Sequence, residues 1–406
     1  MSQGTAEVFT STISSPAIST AGTLKRTVSD IIRELWPQSA PMLALTAKGG
    51  GKDGGKVSAK GMISKASAKT FRFEWFTFTP IGIKFTVASG SGTAPVLSSA
   101  TGLSVGMTIV NMNTMEVGIV DAISTNTLTV VALGSSWSSA ANDNILAAAP
   151  AYKEGSSSPA QLSKDEDNVY NFLQIFRFAV EISRTAKTNP HYGGDYFQRL
   201  KRRAFTQGKR NVEATVLFGQ RAASGDTTST ANRGNVHSTR GMWNYAAKTY
   251  DCSGAMTAEK FRKNMPLAMA ETVNDDDDYI MFCGRHIFGE IQEFYQDKLQ
   301  IQAKDNGMYS KLGLKSFKFI TAGPTIHVMK HNTFDQVGNQ NRALIFRPED
   351  VTLRFKTGAD WQPENDMQAN DQHTMEDGVW GTCGVEVSDG GNNMLKVTNW
   401  GAAGAV

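Results

Sequence analysis

Apolar residues recur along this chain with two periods, one typical of amphipathic helices and one typical of β-strands. The clearest helix is predicted to begin after Asp195, which forms a capping-box pattern with Gln198, and to stop at Gly219. One face of that helix carries apolar residues at helical spacing, namely Phe197, Leu200, Ala204, Val212 and Val216. Shorter helices are predicted at 27–36, from about Thr257, and at 285–300.

Runs of β-branched and aromatic residues predict strands around these helices. The segment 71–80, FRFEWFTFTP, predicts an aromatic strand closed by Pro80, and the segment 168–183 predicts one long strand. The segment 384–399 predicts a hairpin with Gly390 and Gly391 at its tip. Further strands are predicted at 279–283, 315–321, 325–330, 342–347 and 351–355. Helices and strands mixed in this order indicate an α+β fold.

The region between about 81 and 150 differs from the rest of the chain in its amino-acid composition. Charged residues nearly vanish there, and short β-like runs such as GMTIVNM and NTLTVVAL are separated by Gly, Asn and Ser. Strands at short, regular intervals predict a small all-β module, either a barrel or a sandwich, inserted into a larger fold.

Composition excludes several classes of protein. The 406 residues, 40% of them hydrophobic, are enough for two or three domains with their own cores. The net charge of +3 is too small to indicate a dedicated nucleic-acid-binding protein. The three cysteines, Cys252, Cys283 and Cys383, lie far apart, so neither a disulfide framework nor a zinc site is predicted, and a reducing compartment is indicated. Because no secretory signal and no membrane-spanning run is recognised, we expect a soluble protein made in a cytoplasm.

The strongest chemical candidate is the loop GGKDGGKV at 50–57. It matches a phosphate-binding loop except that Val57 stands where Ser or Thr would bind magnesium, and a strand pattern follows it instead of a helix. A glycine-rich loop with solvated lysines is therefore the favoured interpretation. The acidic run NDDDDY at 274–279 is interpreted as a solvated turn, because calcium ligands are spaced along a loop. No histidine or serine motif predicts a catalytic residue, and no metal or cofactor is predicted.

The long predicted helix also carries a basic face. Its members are Lys201, Arg202, Arg203, Lys209 and Arg210. Such a face is able to bind a phosphate backbone, to pair with carboxylates of a neighbouring subunit, or to remain solvated, and the sequence leaves these alternatives open.

Four stretches carry a resemblance to a known family. They are FRFEWFTF at 71–78; GLSVGMTIVN, EVGIVDAISTNTLTVV and YKEGSS within 102–157; NVYNFLQIFRFAVEISRTA and RNVEATVLFG within 168–219; and ITAGPTIHVMKH, ALIFRPEDVTLRF and VEVSDGGNNMLKVTN within 320–399. In this order and spacing the chain resembles the major capsid proteins of tailed bacteriophages, in the branch in which a small β domain interrupts an extended loop. The resemblance covers most of the chain from about 25 to 400.

The resemblance implies the fold named after the Hong Kong phage 97 capsid. The implied parts are an N-terminal arm and short helix at 1–45, an E-loop at 46–80 and 150–167, an inserted β domain at 81–149, a peripheral domain at 168–240 and 350–406 with a spine helix at about 190–220, and an axial domain at 241–349. No motif identifies a cross-linking Lys/Asn pair.

The implied function is structural: many copies assemble as pentamers and hexamers of an icosahedral head around double-stranded DNA. Implied partners are the chain itself, a scaffolding protein and a portal during assembly, and an optional decoration protein, with weak non-specific DNA contact and no membrane. The residues expected at subunit contacts are Lys52, Lys56, Phe71, Phe73, Trp75, Phe78, Arg202 and Arg203. The alternatives are a non-viral binding or surface module that uses the inserted β domain, and a phosphate-binding enzyme that uses the loop at 50–57.

Overall fold

The computed structural model describes thirteen segments of the chain. They are residues 40–46, 62–78, 82–90, 92–151, 154, 165–189, 194–222, 236–254, 256–269, 278–294, 316–320, 324–336 and 338–401. These residues form two compact units. The first unit comprises the described residues of Met1–Phe73, Asn171–Val387 and Gly391–Val406, and the second those of Glu74–Tyr170 and Ser388–Gly390.

Strands and helices are mixed along the described residues, as the predicted α+β class requires. The strands are β1 (Ser64–Ala68), β2 (Arg72–Thr77), β3 (Lys84–Ser89), β4 (Val96–Leu97), β5 (Met107–Asn111), β6 (Val117–Ser124), β7 (Thr127–Ala132), β8 (Asn144–Pro150), β9 (Asp167–Phe172), β10 (Gln174–Ser183), β11 (Lys248–Gly254), β12 (Asp278–Cys283), β13 (Ser316–Ile320), β14 (Thr325–Lys330), β15 (Ala343–Phe346), β16 (Val351–Lys356), β17 (Gln362–Glu364), β18 (Thr374–Val387) and β19 (Leu395–Trp400). The α-helices are Pro41–Ala44, Arg184–Thr188, Tyr196–Phe218, Met242–Tyr245, Ala258–Met269 and Arg285–Phe294, and short 3-10 helices occupy Asn332–Asp335 and Pro348–Asp350.

The helix Tyr196–Phe218, called the long helix below, confirms the sequence prediction at both ends. The Asp195 carboxylate accepts hydrogen bonds from the backbone N–H groups of Phe197, at 2.9 Å, and Gln198, at 3.3 Å. At the other end the Gly219 N–H donates to the Thr215 carbonyl at 2.7 Å. The Asp195 side chain therefore satisfies backbone N–H groups that a helix leaves without intrahelical partners, and the Gly219 N–H closes the last helical turn.

The first sheet lies in the first unit and packs against the long helix. Its strands run in the order β1-β16-β18-β10, and β17 pairs with β18. The register of β10 against the antiparallel β18 runs from Gln174 opposite Cys383 to Ser183 opposite Thr374. A Cβ placed on Gly208 of the long helix would lie 2.6 Å from the ring of Phe178 on β10, so this glycine allows the helix to approach the sheet closely.

The second sheet, also in the first unit, has six strands in the order β11-β19-β15-β12-β14-β13. Its centre is β12, which is parallel to β14 and antiparallel to β15. The helices Ala258–Met269 and Arg285–Phe294 contribute side chains to the same core. Those helical side chains are Phe261, Met265, Met269, Ile287 and Ile291, all of them buried. The second sheet and its helices therefore share one apolar core.

The second unit contains a closed barrel with the strand order β3-β4-β7-β6-β5-β8. Alternate residues of its strands point inward: β7, for example, buries Leu128 and Val130 and exposes Thr129 and Val131. The inward side chains form a separate apolar core that includes Trp137. Of the two forms that the sequence left open for this region, the structure has the barrel.

Two strand predictions are wrong. The segment 168–183 is not one strand, because β9 ends at Phe172 and pairs with β2, while β10 begins at Gln174 and pairs with β18. The segment 384–399 is not a hairpin, because β18 lies in the first sheet and β19 in the second. The turn between them still needs glycine: Gly391 has a φ of +97°, and a Cβ there would lie 2.1 Å from the Tyr245 carbonyl oxygen.

The position of β19 affects where the expected peripheral and axial domains are divided. The resemblance groups 350–406 with 168–240, but β19 pairs with β11 and β15 of the second sheet. A boundary at 350 therefore does not separate the two sheets.

Several predictions lie outside the described residues. These are the helix at 27–36, the loop at 50–57, residues 274–277 of the acidic run, and residues 295–300 of the helix predicted from 285. Among the described residues, no helix is both long enough and apolar enough to cross a membrane.

Candidate functional site

The aromatic strand β2 presents two different faces. Phe73 and Trp75 point inward and are 7% and 8% exposed, whereas Phe76 and Phe78 point outward and are 66% and 62% exposed. The strand has period-two alternation, so residues of opposite parity cannot share a face. The expected contact set of Phe71, Phe73, Trp75 and Phe78 thus mixes side chains from both faces.

Phe71 and Phe73 are engaged within the first unit. The Lys356 ammonium lies 4.0 Å from the centre of the Phe71 ring, and the Arg354 guanidinium lies 5.7 Å from that of Phe73. Phe73 and Trp75 are already buried in a single chain, which leaves little of either side chain exposed, and their expected role at subunit contacts stays a prediction. The exposed aromatic pair is Phe76 of β2 and Phe78, which directly follows the strand; of these two, only Phe78 was among the expected contact residues.

The basic residues of the long helix do not act as one surface. Lys201 forms an ion pair with the buried Asp377 of β18. Although burial raises the pKa of Asp377, hydrogen bonds from Lys201 and from the Asp366 backbone outweigh it, and the pKa lies below its usual value. Arg202 is exposed and Arg203 is half-buried. Of this face, Arg202 is therefore the better placed for contact with a partner. Lys52 and Lys56 lie outside the described residues, so their expected role stays a prediction.

Sequence reasoning missed a buried polar junction at the long helix. Glu213 and His331 are each 1% exposed, and the Glu213 carboxylate lies 3.2 Å from His331 Nε2. The same carboxylate accepts a hydrogen bond from the Met42 backbone N–H. The Thr333 N–H donates to His331 Nδ1 at 3.2 Å, so this ring nitrogen is the acceptor of that bond. The sequence does contain a sign of this burial, because Glu213 directly follows Val212, which lies on the apolar face of the long helix.

This junction joins three elements that are far apart in sequence. Met42 belongs to the helix Pro41–Ala44, Glu213 to the long helix, and His331 to the end of β14. His331 also packs against Phe282 of β12, with ring centres 5.1 Å apart. A buried carboxylate is tolerated here because the Met42 N–H donates a hydrogen bond to it and the His331 ring faces it from the surrounding core.

The remaining chemical candidates are not assembled into a reactive site. His327 lies 3.6 Å from Asp278, whereas His331 faces Glu213, so the two histidines do not converge. Burial raises the pKa of both Cys252 and Cys383 to about 12, which favours the unreactive thiol. Within the described part of the chain, no group of three or more His, Cys, Asp or Glu side chains is placed to hold a metal ion.

A comparison of the sequence with known protein families shows which family this chain belongs to. The model of the family described as SU10 major capsid protein matches residues 4–394. The chain belongs to the SU10 major capsid protein family. It is also 25% identical over 369 residues to the major capsid protein of Pseudomonas phage PaMx41, which covers 84% of this chain and 81% of that protein. The resemblance to phage major capsid proteins is therefore confirmed.

Solved structures that align with this member of the SU10 family include two particles. One is from Mycobacterium phage Bobi, at 6% identity and a TM-score of 0.49, with 95% of this chain and 98% of that chain covered. The other is the capsid of a native GTA particle, at 9% identity and a TM-score of 0.47, with 96% of this chain and 99% of that chain covered. The family assignment itself rests on the sequence match over 4–394.

Proposed function

We propose that copies of this chain assemble as hexamers and pentamers into the closed icosahedral shell of a phage head around double-stranded DNA. The observation that carries the proposal is the match of nearly the whole chain, residues 4–394, to the SU10 major capsid protein family. The role is structural.

The domain names implied by the resemblance belong to this proposal. The strand β2 lies within the E-loop proposed at 46–80, and its partner β9 begins at the end of the second E-loop range, 150–167, and continues beyond it to Phe172. The barrel fits the domain inserted at 81–149. The long helix fits the spine of a peripheral domain, and the second sheet fits an axial domain that also includes β19.

The outward face of β2 is the contact that we propose for shell assembly. A two-stranded sheet has no further layer of its own to cover exposed aromatic side chains. Phe76 and Phe78 point outward from it and are mostly exposed. Burying a phenylalanine side chain contributes about 1.5–3 kcal/mol, so repeating this contact around a shell stabilises it substantially. The acceptor is a neighbouring copy of the chain.

The proposed partners follow from the same function. A separate scaffolding protein and a portal take part in assembly in the host cytoplasm, and a decoration protein binds the finished shell. Contact with packaged DNA is weak and non-specific, since the net charge is only +3. Arg202 is an exposed basic residue of the long helix, and we assign it to a contact with a neighbouring subunit.

The proposal is tested by electron microscopy and size-exclusion chromatography of the purified full-length chain. Wild type is expected to form hexamer-sized particles, tubes or shells, alone or with its scaffolding protein. The double variant Phe76→Ser/Phe78→Ser is expected to assemble poorly while remaining folded. Ile175→Ser is the matched control, because Ile175 on β10 is an exposed apolar residue, at 52%, outside β2.

Two outcomes would count against the proposal at different levels. If wild type stays monomeric at high concentration even with its scaffolding protein, the shell function is rejected. If wild type assembles and the double variant assembles equally well, only the assigned contact of Phe76 and Phe78 is rejected.

A further inference from the structure

A polar cavity of about 380 Å³ lies in the first unit, against the long helix. Three parts of the chain that are far apart in sequence line it: the long helix, the start of the helix Arg285–Phe294, and the segment that follows β14. The lining consists of the basic residues Arg210, Arg285 and His286, the amides Asn332, Gln336 and Gln340, and the carboxylate of Asp335. The cavity therefore suits a hydrophilic ligand, because an apolar ligand would leave these groups without hydrogen-bond partners.

The carboxylate of the lining, that of Asp335, is already engaged by the protein. It accepts a hydrogen bond from the Arg285 backbone N–H at the start of the helix Arg285–Phe294. It also lies 3.2 Å from Arg285 Nε and 3.9 Å from Lys330 Nζ. This carboxylate therefore shares its charge between two cations and does not cancel the charge of a third.

The third cation is Arg210, and none of the described carboxylates pairs with it. Its Nη1 donates to the Gln207 side-chain oxygen of the same helix at 3.3 Å. The residue is half-buried, so part of its charge is withdrawn from water. A guanidinium carries several N–H donors, and that bond uses a single one. Arg210 therefore has both charge and donors available to a ligand in the cavity.

Positive charge exceeds negative charge around the cavity. The two arginines and the adjoining Lys330 outnumber the single carboxylate of the lining. Glu290, which is not part of the lining, lies 3.5 Å from His286 Nε2 and accepts a hydrogen bond from Trp400 Nε1 at 2.5 Å. Because the oxygens of Glu290 are engaged by those two groups, the cavity keeps an electrostatic preference for an anion.

The kinds of donor in the lining indicate which anion fits. A guanidinium donates pairs of N–H groups to phosphate or carboxylate oxygens, and side-chain amides add neutral donors. Because these donors come from three parts of the chain, they reach a ligand from several sides. A phosphate group presents oxygens in several directions and carries more charge than a carboxylate, so it matches two arginines and three amides better.

We propose that this cavity binds a phosphate group between Arg210 and Arg285. Two sources supply that chemistry, free phosphate in solution and the phosphodiester backbone of DNA, and they differ in whether a DNA duplex competes with the free anion. The bound phosphate links the long helix to the helix Arg285–Phe294 and stabilises the first unit, since a ligand that binds only the folded state stabilises it. The inference goes beyond the proposed function, because the site needs no second copy of the chain.

Equilibrium dialysis of the full-length chain against radiolabelled inorganic phosphate tests the site in free and assembled chains alike. Arg210→Gln is the main variant, because the described hydrogen bond of this side chain is confined to the long helix and the fold should tolerate the change. Arg285→Gln is a second, independent variant. Lys209→Gln is the matched control, since Lys209 is an exposed cation next to Arg210 that is not part of the lining. Acetate and a short DNA duplex, each at the same ionic strength, serve as competitors.

We expect wild type and Lys209→Gln to bind phosphate alike, and Arg210→Gln and Arg285→Gln to bind it about tenfold or more weakly, as for the loss of a charge-assisted hydrogen bond. Acetate should compete poorly. Competition by the duplex would assign the bound phosphate to the DNA backbone, and its absence to a free anion. The inference is overturned if wild type binds no phosphate, if Lys209→Gln weakens binding as much as Arg210→Gln, or if acetate competes as well as phosphate. None of these results depends on shell formation, so a failure here leaves the proposed function intact.

Discussion

The second sheet and the barrel bury their cores with different sequence patterns. In the second sheet, β12 buries five consecutive residues, 279–283, because its two edges are paired and both of its faces are covered. In the barrel, β7 buries only every second residue, because one face lines the interior and the other faces outward. The barrel core is thus encoded by local alternation, whereas the core of the second sheet depends on elements far apart along the chain.

The two regions also differ in the burial of their carboxylates and in the origin of the partners of those carboxylates. The first unit buries Glu213 against His331, so a charge there depends on partners from distant elements. The barrel keeps Glu116 and Asp143 at one end, called its tip below, where the hydrogen-bond donors come from the adjoining turn and loop. Loss of a buried partner should therefore cost the first unit more free energy than loss of a tip carboxylate costs the barrel.

The largest effect is expected from Glu213→Ala. The substitution leaves the Met42 N–H buried without its acceptor and removes the carboxylate that faces His331, and removing one partner of such a junction costs about 3–5 kcal/mol of unfolding free energy. Urea unfolding followed by hydrogen exchange is expected to show the loss in residues 40–46 and 278–294, and not in the barrel. Glu213→Gln is the control, since it retains an oxygen acceptor and should lose less. An unchanged midpoint for Glu213→Ala would show that the junction contributes little.

An intermediate effect is expected from Gly118→Ala in the barrel. A Cβ at this position would lie 2.5 Å from Val130 Cγ1 and 3.0 Å from Trp137 Cε3, so the core must shift to accept it. Overpacking of this kind costs about 1–3 kcal/mol. Hydrogen exchange should become faster in β6 and β7 while the second sheet is unaffected. Gly134→Ala is the matched control, because a Cβ there has no neighbour within 4 Å. Equal destabilisation by both variants would contradict the packing argument.

The smallest effect on stability is expected when the pH is lowered. The pKa of Glu116 is lowered chiefly by the hydrogen bond from Ser136, and that of Asp143 chiefly by the Ala140 backbone N–H. Because these folded-state pKa values lie below the ordinary ones, their stabilisation is present at neutral pH and is lost as the pH falls through the folded values.

The acid prediction is checked by comparing wild type with Glu116→Gln. The thermal midpoint of the barrel in wild type should exceed that of the variant at pH 7, and the difference should shrink at pH 3. A difference that does not change with pH would mean that the ionised carboxylate of Glu116 is not what holds the tip.

The aromatic strand β2 shows what a local sequence pattern predicts and what it does not. Alternating aromatic residues predicted β2 correctly, because β propensity and period-two spacing are local properties. Both faces carry phenylalanine, however, so the pattern did not decide which face is covered. That decision depends on groups such as Lys356 and Arg354, which come from β16, far along the chain. The local pattern therefore did not show which of the candidate contact residues are exposed.

The wrong hairpin at 384–399 has a similar cause. Two strand-like runs around Gly390 and Gly391 have the local pattern of a hairpin, and both glycines do adopt a positive φ. The strands nevertheless pair elsewhere, β18 with β10 and β16, and β19 with β11 and β15. Each finds more backbone partners and more apolar cover in those sheets than a two-stranded hairpin offers.

The amino-acid pattern alone was enough to predict the long helix with its caps, the all-β character of the inserted region, most strand positions, and the family. Those features depend on neighbours within a few residues or on an ordered series of motifs. The three-dimensional fold was needed to establish the closure of the barrel, the assignment of strands to two sheets, the exposure of Phe76 and Phe78, and the burial of Glu213 beside His331. These features arise from contacts between segments far apart in sequence, whose pairing is chosen by the free energy of the whole fold.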